Sequence, residues 1–195
     1  SITINMMLIA EDRSQFEILY NVSRQLAASL DLHEVLARVL LLSTGNLSAE
    51  RASLIVLDSA GRPRDAVILY NGQVSSASQE TISSIMHGGL AGWVARHRQP
   101  VILENTRADK RWLARPYEQE GLSLPKSALC VPVPAREQIV GVLTIVHPQP
   151  GYFQEAHLKL QQAIADLAGI AIHNAQLYED VEHNRNLYQR LFEGS

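Results

Sequence analysis

The sequence predicts an α/β domain of the α+β kind, built on antiparallel strands. Two observations carry the strands. ASLIVLD (Ala52–Asp58) is answered by DAVILYNG (Asp65–Gly72) across the turn residues DSAGRP, and SALCVPVPA (Ser127–Ala135) is answered by IVGVLTIVH (Ile139–His147) across a polar REQ turn. A third carries the helices: both ends of the chain place apolar residues three and four apart. With 195 residues, 46% of them hydrophobic and 19% charged, the chain can bury a substantial core as one large domain with extensions.

At the N-terminal end, Phe16, Leu19, Val22, Leu26 and Leu30 mark a helix over Ser14–Leu30 with one narrow apolar stripe. Asp31 sits three residues before Glu34, a capping signal that starts a second helix near Leu32, with Leu32, Val35, Leu36, Val39 and Leu40 on its buried face. After the first hairpin, QVSSASQ reads as a polar connection and ETISSIM as helical. GLAGWVARHRQPV (Gly89–Val101) opens with glycines, runs as a short helix and ends at Pro100 before a strand, VILEN (Val101–Asn105). From Thr106 to Leu124 no clean period emerges, so a mixed loop with short helical turns is expected.

The last segment, Gln154 to about Phe192, has no proline and a single glycine, Gly169. A seven-residue repeat puts Leu160, Ile164, Leu167, Ala171, Asn174, Tyr178, Val181, Arg185, Tyr188 and Phe192 on one seam. A helix of that length reaches roughly 55 Å, more than a domain of this size needs. The surplus either projects and pairs with a second copy, Asn174 fixing the register, or bends back on the domain; the apolar seam favours the dimer.

Composition excludes several classes. A net charge of -3 gives no electrostatic reason to expect nucleic acid. The one cysteine, Cys130, rules out an intrachain disulfide and a zinc site with two or more thiolates. No apolar run approaches the roughly 20 residues of a membrane span, and SITINMMLIAEDR lacks the marks of a signal peptide, so a cytoplasmic location is expected. The seven histidines show no H-x-x-x-H or H-E-x-x-H spacing.

The glycines of the opening GLAG raise the question of a phosphate cradle. Gly88, Gly89 and Gly92 do not reproduce G-x-G-x-x-G, and helical ETISSIMH precedes them instead of a strand. The expected role is a sharp chain entry and close packing, with Trp93 and Val94 facing the sheet and Trp93 largely buried.

Taken in order, GGLAGWVARHRQPVILEN, ADKRW, SALCVPV with IVGVLTIV, and FQEAHLKLQQAIADLAGIAIHNAQLYE make the chain resemble the GAF domain family over roughly Ser14–Glu179. The resemblance implies an antiparallel sheet of five or six strands, helices from both termini on one face, and short helices and loops on the other. It divides the chain into an N-terminal extension (1–13), the domain with its terminal helices (14–175) and a signalling linker helix (176–195). NLYQRLFEGS is similar to the opening of a PAS domain, which implies a bacterial multidomain sensor of the histidine kinase or diguanylate cyclase type, and a two-component setting. The implied role is a non-catalytic sensory module that binds a small ligand and relays through a dimeric helix; the alternative is a ligand-free structural relay.

Pocket candidates, chosen where family pockets lie, are Asn105, Arg107, Asp109, Trp112, Tyr117, Ser127 and Cys130. Cys130, inside an apolar strand and without a following histidine, does not resemble a bilin attachment site, and a lone cysteine does not fit the family's methionine-sulfoxide reductases. An iron site shared by Arg107, Asp109 and Cys130 lacks the carboxylates such sites use. Haem and cyclic nucleotide are not favoured, although haem ligation by one histidine stays open and the cofactor is otherwise unassigned. Arg107, Lys110, Arg111 and Arg115, interleaved with Trp112 and Tyr117, read as a polar lid at the pocket in preference to a nucleic-acid patch. No membrane partner is expected; the implied partners are a second copy and downstream PAS and output domains.

Overall fold

Strand alternation sets the architecture. In the computed structural model, which describes residues 2–45, 47–113 and 124–194, the strands are β1 (Arg51–Leu57), β2 (Pro63–Tyr70), β3 (Gln73–Ser76), β4 (Val101–Leu103), β5 (Ser127–Ala135) and β6 (Gln138–His147). They form one antiparallel sheet in the order β3-β2-β1-β6-β5-β4. Successive side chains point to opposite faces. Ala52, Leu54, Val56, Leu129, Val131, Leu143 and Ile145 therefore bury on one face, under the helices α1 (Ile2–Ala27), α2 (Leu32–Thr44) and α5 (Glu155–Glu193). Ile55, Ala128, Cys130, Val142 and Val146 bury on the other, under α3 (Gln79–Gly88) and α4 (Leu90–His97).

Local chemistry fixes the ends of these elements. Asp31 caps α2 as expected, its carboxylate accepting the Glu34 N–H at 2.9 Å, a contact worth about 1 kcal/mol. In the β1–β2 turn Asp58 accepts the N–H groups of Ala60 and Arg62, both at 2.9 Å, while Gly61 takes the left-handed conformation at φ 75°. The β5–β6 turn needs only Arg136 and Glu137, with Arg136 left-handed at φ 57°.

The glycines of the α3–α4 corner serve geometry. A Cβ on Gly92 would overlap the Met86 carbonyl oxygen and lie 2.7 Å from its carbon, so the two helices touch backbone to backbone. Gly169 does the same for α5: a Cβ there would overlap the Pro134 carbonyl oxygen and lie 2.7 Å from its carbon. Ala165, Ala168, Ile172 and Ala175 complete that close approach to β5.

At the β6–α5 link, the buried His147 ring stacks on Tyr152 with centroids 3.5 Å apart, and its Nδ1 accepts the Gln149 N–H at 3.0 Å. Tyr152 stacks in turn on His157, whose Nδ1 accepts the Gln154 N–H at the start of α5. One buried polar contact ties α5 to α2: Gln161 Nε2 donates to the Ser43 carbonyl at 2.9 Å.

Several expectations change. The first helix runs Ile2–Ala27 instead of Ser14–Leu30. QVSSASQ contributes an exposed edge strand, β3, held to β2 by backbone pairing that polar side chains do not advertise. Trp93 is half-buried at the rim while Val94 takes the core position. Helix α4 ends at Arg98, left-handed at φ 55°, two residues before Pro100. On α5 the seam divides: Ile164 is buried and Leu160, Leu167 and Ala171 pack against the domain core, whereas Asn174, Tyr178, Val181, Arg185, Tyr188 and Phe192 are exposed.

Candidate functional site

The lid face of the sheet holds a cavity of about 50 Å³, floored by Arg51 and Ser53 of β1, Ile68 of β2 and Thr144 and Val146 of β6. Its roof is Ile85 of α3, Gly89, Leu90 and Ala91 at the start of α4, and Trp112 with Leu113 from the following loop. The β-strand period explains the floor: Arg51 and Ser53 share the face of Ile55, as Thr144 shares that of Val142 and Val146. Arg51 is 6% exposed, and its guanidinium carbon lies 5.5 Å from the centre of the Trp112 ring, so a cation and an aromatic face wall the same space.

Around that cavity the loop is pinned from outside. Asp109 holds Arg111 by two contacts, Nε to Oδ1 at 3.0 Å and Nη2 to Oδ2 at 2.7 Å. The Arg111 bonds hold the Asp109 carboxyl below its usual pKa, and Asp109 raises that of Arg111 in return. Arg111 also lies 4.5 Å over the Trp93 ring, which stacks on His97 at 4.1 Å. This ladder fastens the loop carrying Trp112 to α4.

The seven sequence candidates separate accordingly. Trp112 lines the cavity. Cys130 lies behind it, its Sγ 3.2 Å from the Oγ1 of Thr144; burial pushes the thiol up to about 12, so it stays protonated at neutral pH. Asn105 caps the short 3-10 turn Thr106–Ala108 by accepting the Arg107 N–H at 3.0 Å, and Arg107 itself is exposed. Asp109 is committed to Arg111. Ser127 is a correction: alternation places it with Leu129 and Val131 on the helix face, where its hydroxyl donates to the Gln149 carbonyl at 2.7 Å. Tyr117 lies outside the described residues, as does Arg115 of the basic cluster. The structure adds Arg51, Ser53 and Thr144. The signal for Arg51 was an arginine directly ahead of an apolar strand, at a position that pairs within the sheet.

Among the described residues no group of three or more histidine, cysteine, aspartate or glutamate side chains converges as a metal site. No helix there is long and apolar enough to cross a membrane.

Comparison with known proteins places these features. The chain is 28% identical over 189 residues to the probable 3',5'-cyclic phosphodiesterase pde-5 of Caenorhabditis elegans, covering 93% of this chain and 26% of that protein. It is 28% identical over 183 residues to the cGMP-specific 3',5'-cyclic phosphodiesterase of Drosophila pseudoobscura pseudoobscura, covering 86% of this chain and 16% of that protein. The chain thus spans no more than about a quarter of either relative. Among solved structures, the GAF domain from Acinetobacter phosphoenolpyruvate-protein phosphotransferase superposes with a TM-score of 0.63 at 20% identity, over 86% of this chain and 98% of that one. Free methionine-R-sulfoxide reductase from Neisseria meningitidis, in complex with its substrate, gives 0.62 at 14% identity, over 84% and 91%. These structural likenesses are of fold alone. The profile of the GAF domain family matches residues 29–173, from just before α2 to the middle of α5. The chain belongs to the GAF domain family.

Proposed function

We propose that this chain is the non-catalytic regulatory module of a larger signalling protein, taking a small molecule at the lid-face cavity and relaying through α5 as a homodimer. The observation that carries this reading is the division of α5. Its first half is rooted in the core through Ile164, Ala165, Ala168, Ile172 and Ala175, and the 18 residues from Gln176 to Glu193 continue beyond the last buried position. Gln176 and Glu179 still reach the domain, at the Leu57 carbonyl and at Arg64, so the 14 residues from Asp180 to Glu193, about 21 Å of helix, project. Tyr178, Val181 and Tyr188 are 48%, 62% and 64% exposed along this second half of α5, an apolar face that a second copy would cover. Ligand coupling requires that the ligand prefer one packing of the terminal helices over another.

Cys130 supports a non-catalytic role, because a fully buried thiol with a raised pKa is neither nucleophile nor redox partner at neutral pH. The PAS-like tail supports a sensor kinase or diguanylate cyclase as the parent. The names of the phosphodiesterase relatives put cyclic nucleotides among the ligands to test. A second reading, a ligand-free relay, draws support from the cavity itself: about 50 Å³ is well below the roughly 300–1,000 Å³ of pockets that hold drug-sized ligands.

Three measurements test the proposal. Sedimentation of the full chain and of a version truncated after Tyr178 should give a dimer that weakens on truncation; an unchanged dimer would refute the projecting helix as the main contact. In Trp93→Phe, Trp112 is the only tryptophan left, so cGMP, cAMP or a molecule released from the purified protein should change its fluorescence saturably. Native and denatured masses that agree, with no fluorescence response, would select the ligand-free relay.

A further inference from the structure

The turn end of the sheet carries a crevice of about 570 Å³, separate from the lid-face cavity and sharing none of its described lining residues. One wall is the β1–β2 turn from Asp58 to Pro63; the other is formed by the C-terminal turns of α3 and α4 with the start of β6.

Its charge runs against that of the chain. Arg62, Arg96 and Arg98 line it, and Asp58 is the one carboxylate among the described lining residues, although the chain as a whole carries -3. Asp58 is engaged by Arg62, Nε to Oδ2 at 3.0 Å. Arg96 donates one Nη1 hydrogen to the Met86 carbonyl at 3.2 Å, which fixes the guanidinium at the end of α3 and leaves its other donors for the crevice. Arg98 forms no ion pair among the described residues and adopts φ 55°, a conformation that glycine or asparagine would take at less cost. Compensation of the two helix C-termini accounts for Arg96, which caps a carbonyl of α3. Arg98, the C-cap of α4, serves that helix end in the same way, which leaves its left-handed backbone and the concave shape unaccounted for. Between the cations, Met86, Ala95 and Ile139 give the crevice an apolar floor.

We propose that this crevice is a second ligand site, taking a small organic phosphate with the phosphate at Arg96 and Arg98 and the organic body on Met86, Ala95 and Ile139. Arginine suits the group because its planar fork of donors matches phosphate oxygens in pairs. The net excess of two cations matches a phosphate monoester, which is close to a dianion above pH 7.

The test is a ³¹P titration of the full-length chain with phenyl phosphate at pH 7.5 and low salt. Binding should saturate with a Kd below about 1 mM, and Arg98→Gln, an exposed substitution, should weaken it by about tenfold or more. Asp58→Asn keeps a turn acceptor but removes the carboxylate, so it should tighten binding. Arg190→Gln, on the far part of α5, should leave it unchanged. Each of four results would overturn the proposal: no saturation by about 10 mM; equal weakening in Arg98→Gln and Arg190→Gln; a lower melting temperature in Arg98→Gln with binding unmoved; or inorganic phosphate binding as tightly as phenyl phosphate. Because Trp112 fluorescence reports the lid-face cavity alone, failure here is distinguishable from failure there.

Discussion

Substituting Gly169 by alanine sets two effects of opposite sign against each other. In an isolated helix the change is favourable by about 1 kcal/mol, since alanine is the better helix former. In this protein the added methyl would overlap the Pro134 carbonyl oxygen and stand 2.7 Å from its carbon. Carbon atoms pack best at about 3.5–4.0 Å, so α5 and β5 must separate by roughly 1 Å. A gap of that size forfeits a quarter to a half of each dispersion contact it opens, and Ala165, Ala168 and Ile172 all pack across the same seam. Overpacking of this kind costs about 1–3 kcal/mol; with the carbonyl oxygen overlapped as well as its carbon the upper end applies, so after the helical gain a net loss of about 2 kcal/mol is expected. For a chain of this length that lowers the melting temperature by about 4–8 °C. Urea and thermal unfolding at one fixed protein concentration give the number, because association would otherwise shift it. Gly88→Ala, at the end of α3, is the control: nothing lies within 4 Å of its Cβ position, so only the helical gain of up to about 1 kcal/mol remains and its stability should not fall. A Gly169→Ala protein as stable as the parent, or more stable, would refute the backbone contact.

Two further outcomes are expected. Burial holds the pKa of His147 below its ordinary 6.5, and protonating Nδ1 would also end its acceptance of the Gln149 N–H. The unfolded chain therefore binds the extra proton first: the contribution of His147 is complete above about pH 6.5 and is lost as pH falls from there toward the folded pKa, with a slope of at most about 1.4 kcal/mol per unit. His147→Phe keeps a ring against Tyr152, and its unfolding free energy should show a shallower acid slope than the parent between pH 7.5 and 5.5; parallel slopes would count against the assignment. Cys130, fully buried with its thiol pushed up to about 12, should resist iodoacetamide at pH 8 in the native protein and react once urea unfolds it. Rapid native labelling would mean that the lid opens over β5.

Much of the fold was legible because it rests on patterns that act over short distances. Asp31 and Glu34 announced the start of α2, the two apolar hairpins paired as read, and the glycines of GLAG met the close backbone contacts expected of them. What escaped depends on partners distant in sequence. Gln73–Ser76 is a strand because β2 offers it an edge, and its own side chains give no alternation of burial. Ser127 looked like a pocket residue by its place in the chain, but a single step of strand register sends it to the opposite face. Nothing near Arg51 in sequence marks it either: the Trp112 ring it faces lies sixty-one residues later.

The seating of α5 on β5 has a mechanical side. Several contacts seat α5, among them Gln161 on Ser43, Gln176 on Leu57 and Glu179 on Arg64, but at Gly169 it meets β5 backbone to backbone, and a rod bearing on such a point is a lever. The inner arm, from Glu155 to Gly169, measures about 21 Å and the outer arm, to Glu193, about 36 Å. A tilt that lifts the Glu155 end by 1 Å would swing the far tip by about 1.7 Å the other way. With a side chain larger than glycine at the fulcrum the rod would ride higher on the sheet and rock on side-chain atoms; with none, it bears directly on the Pro134 carbonyl.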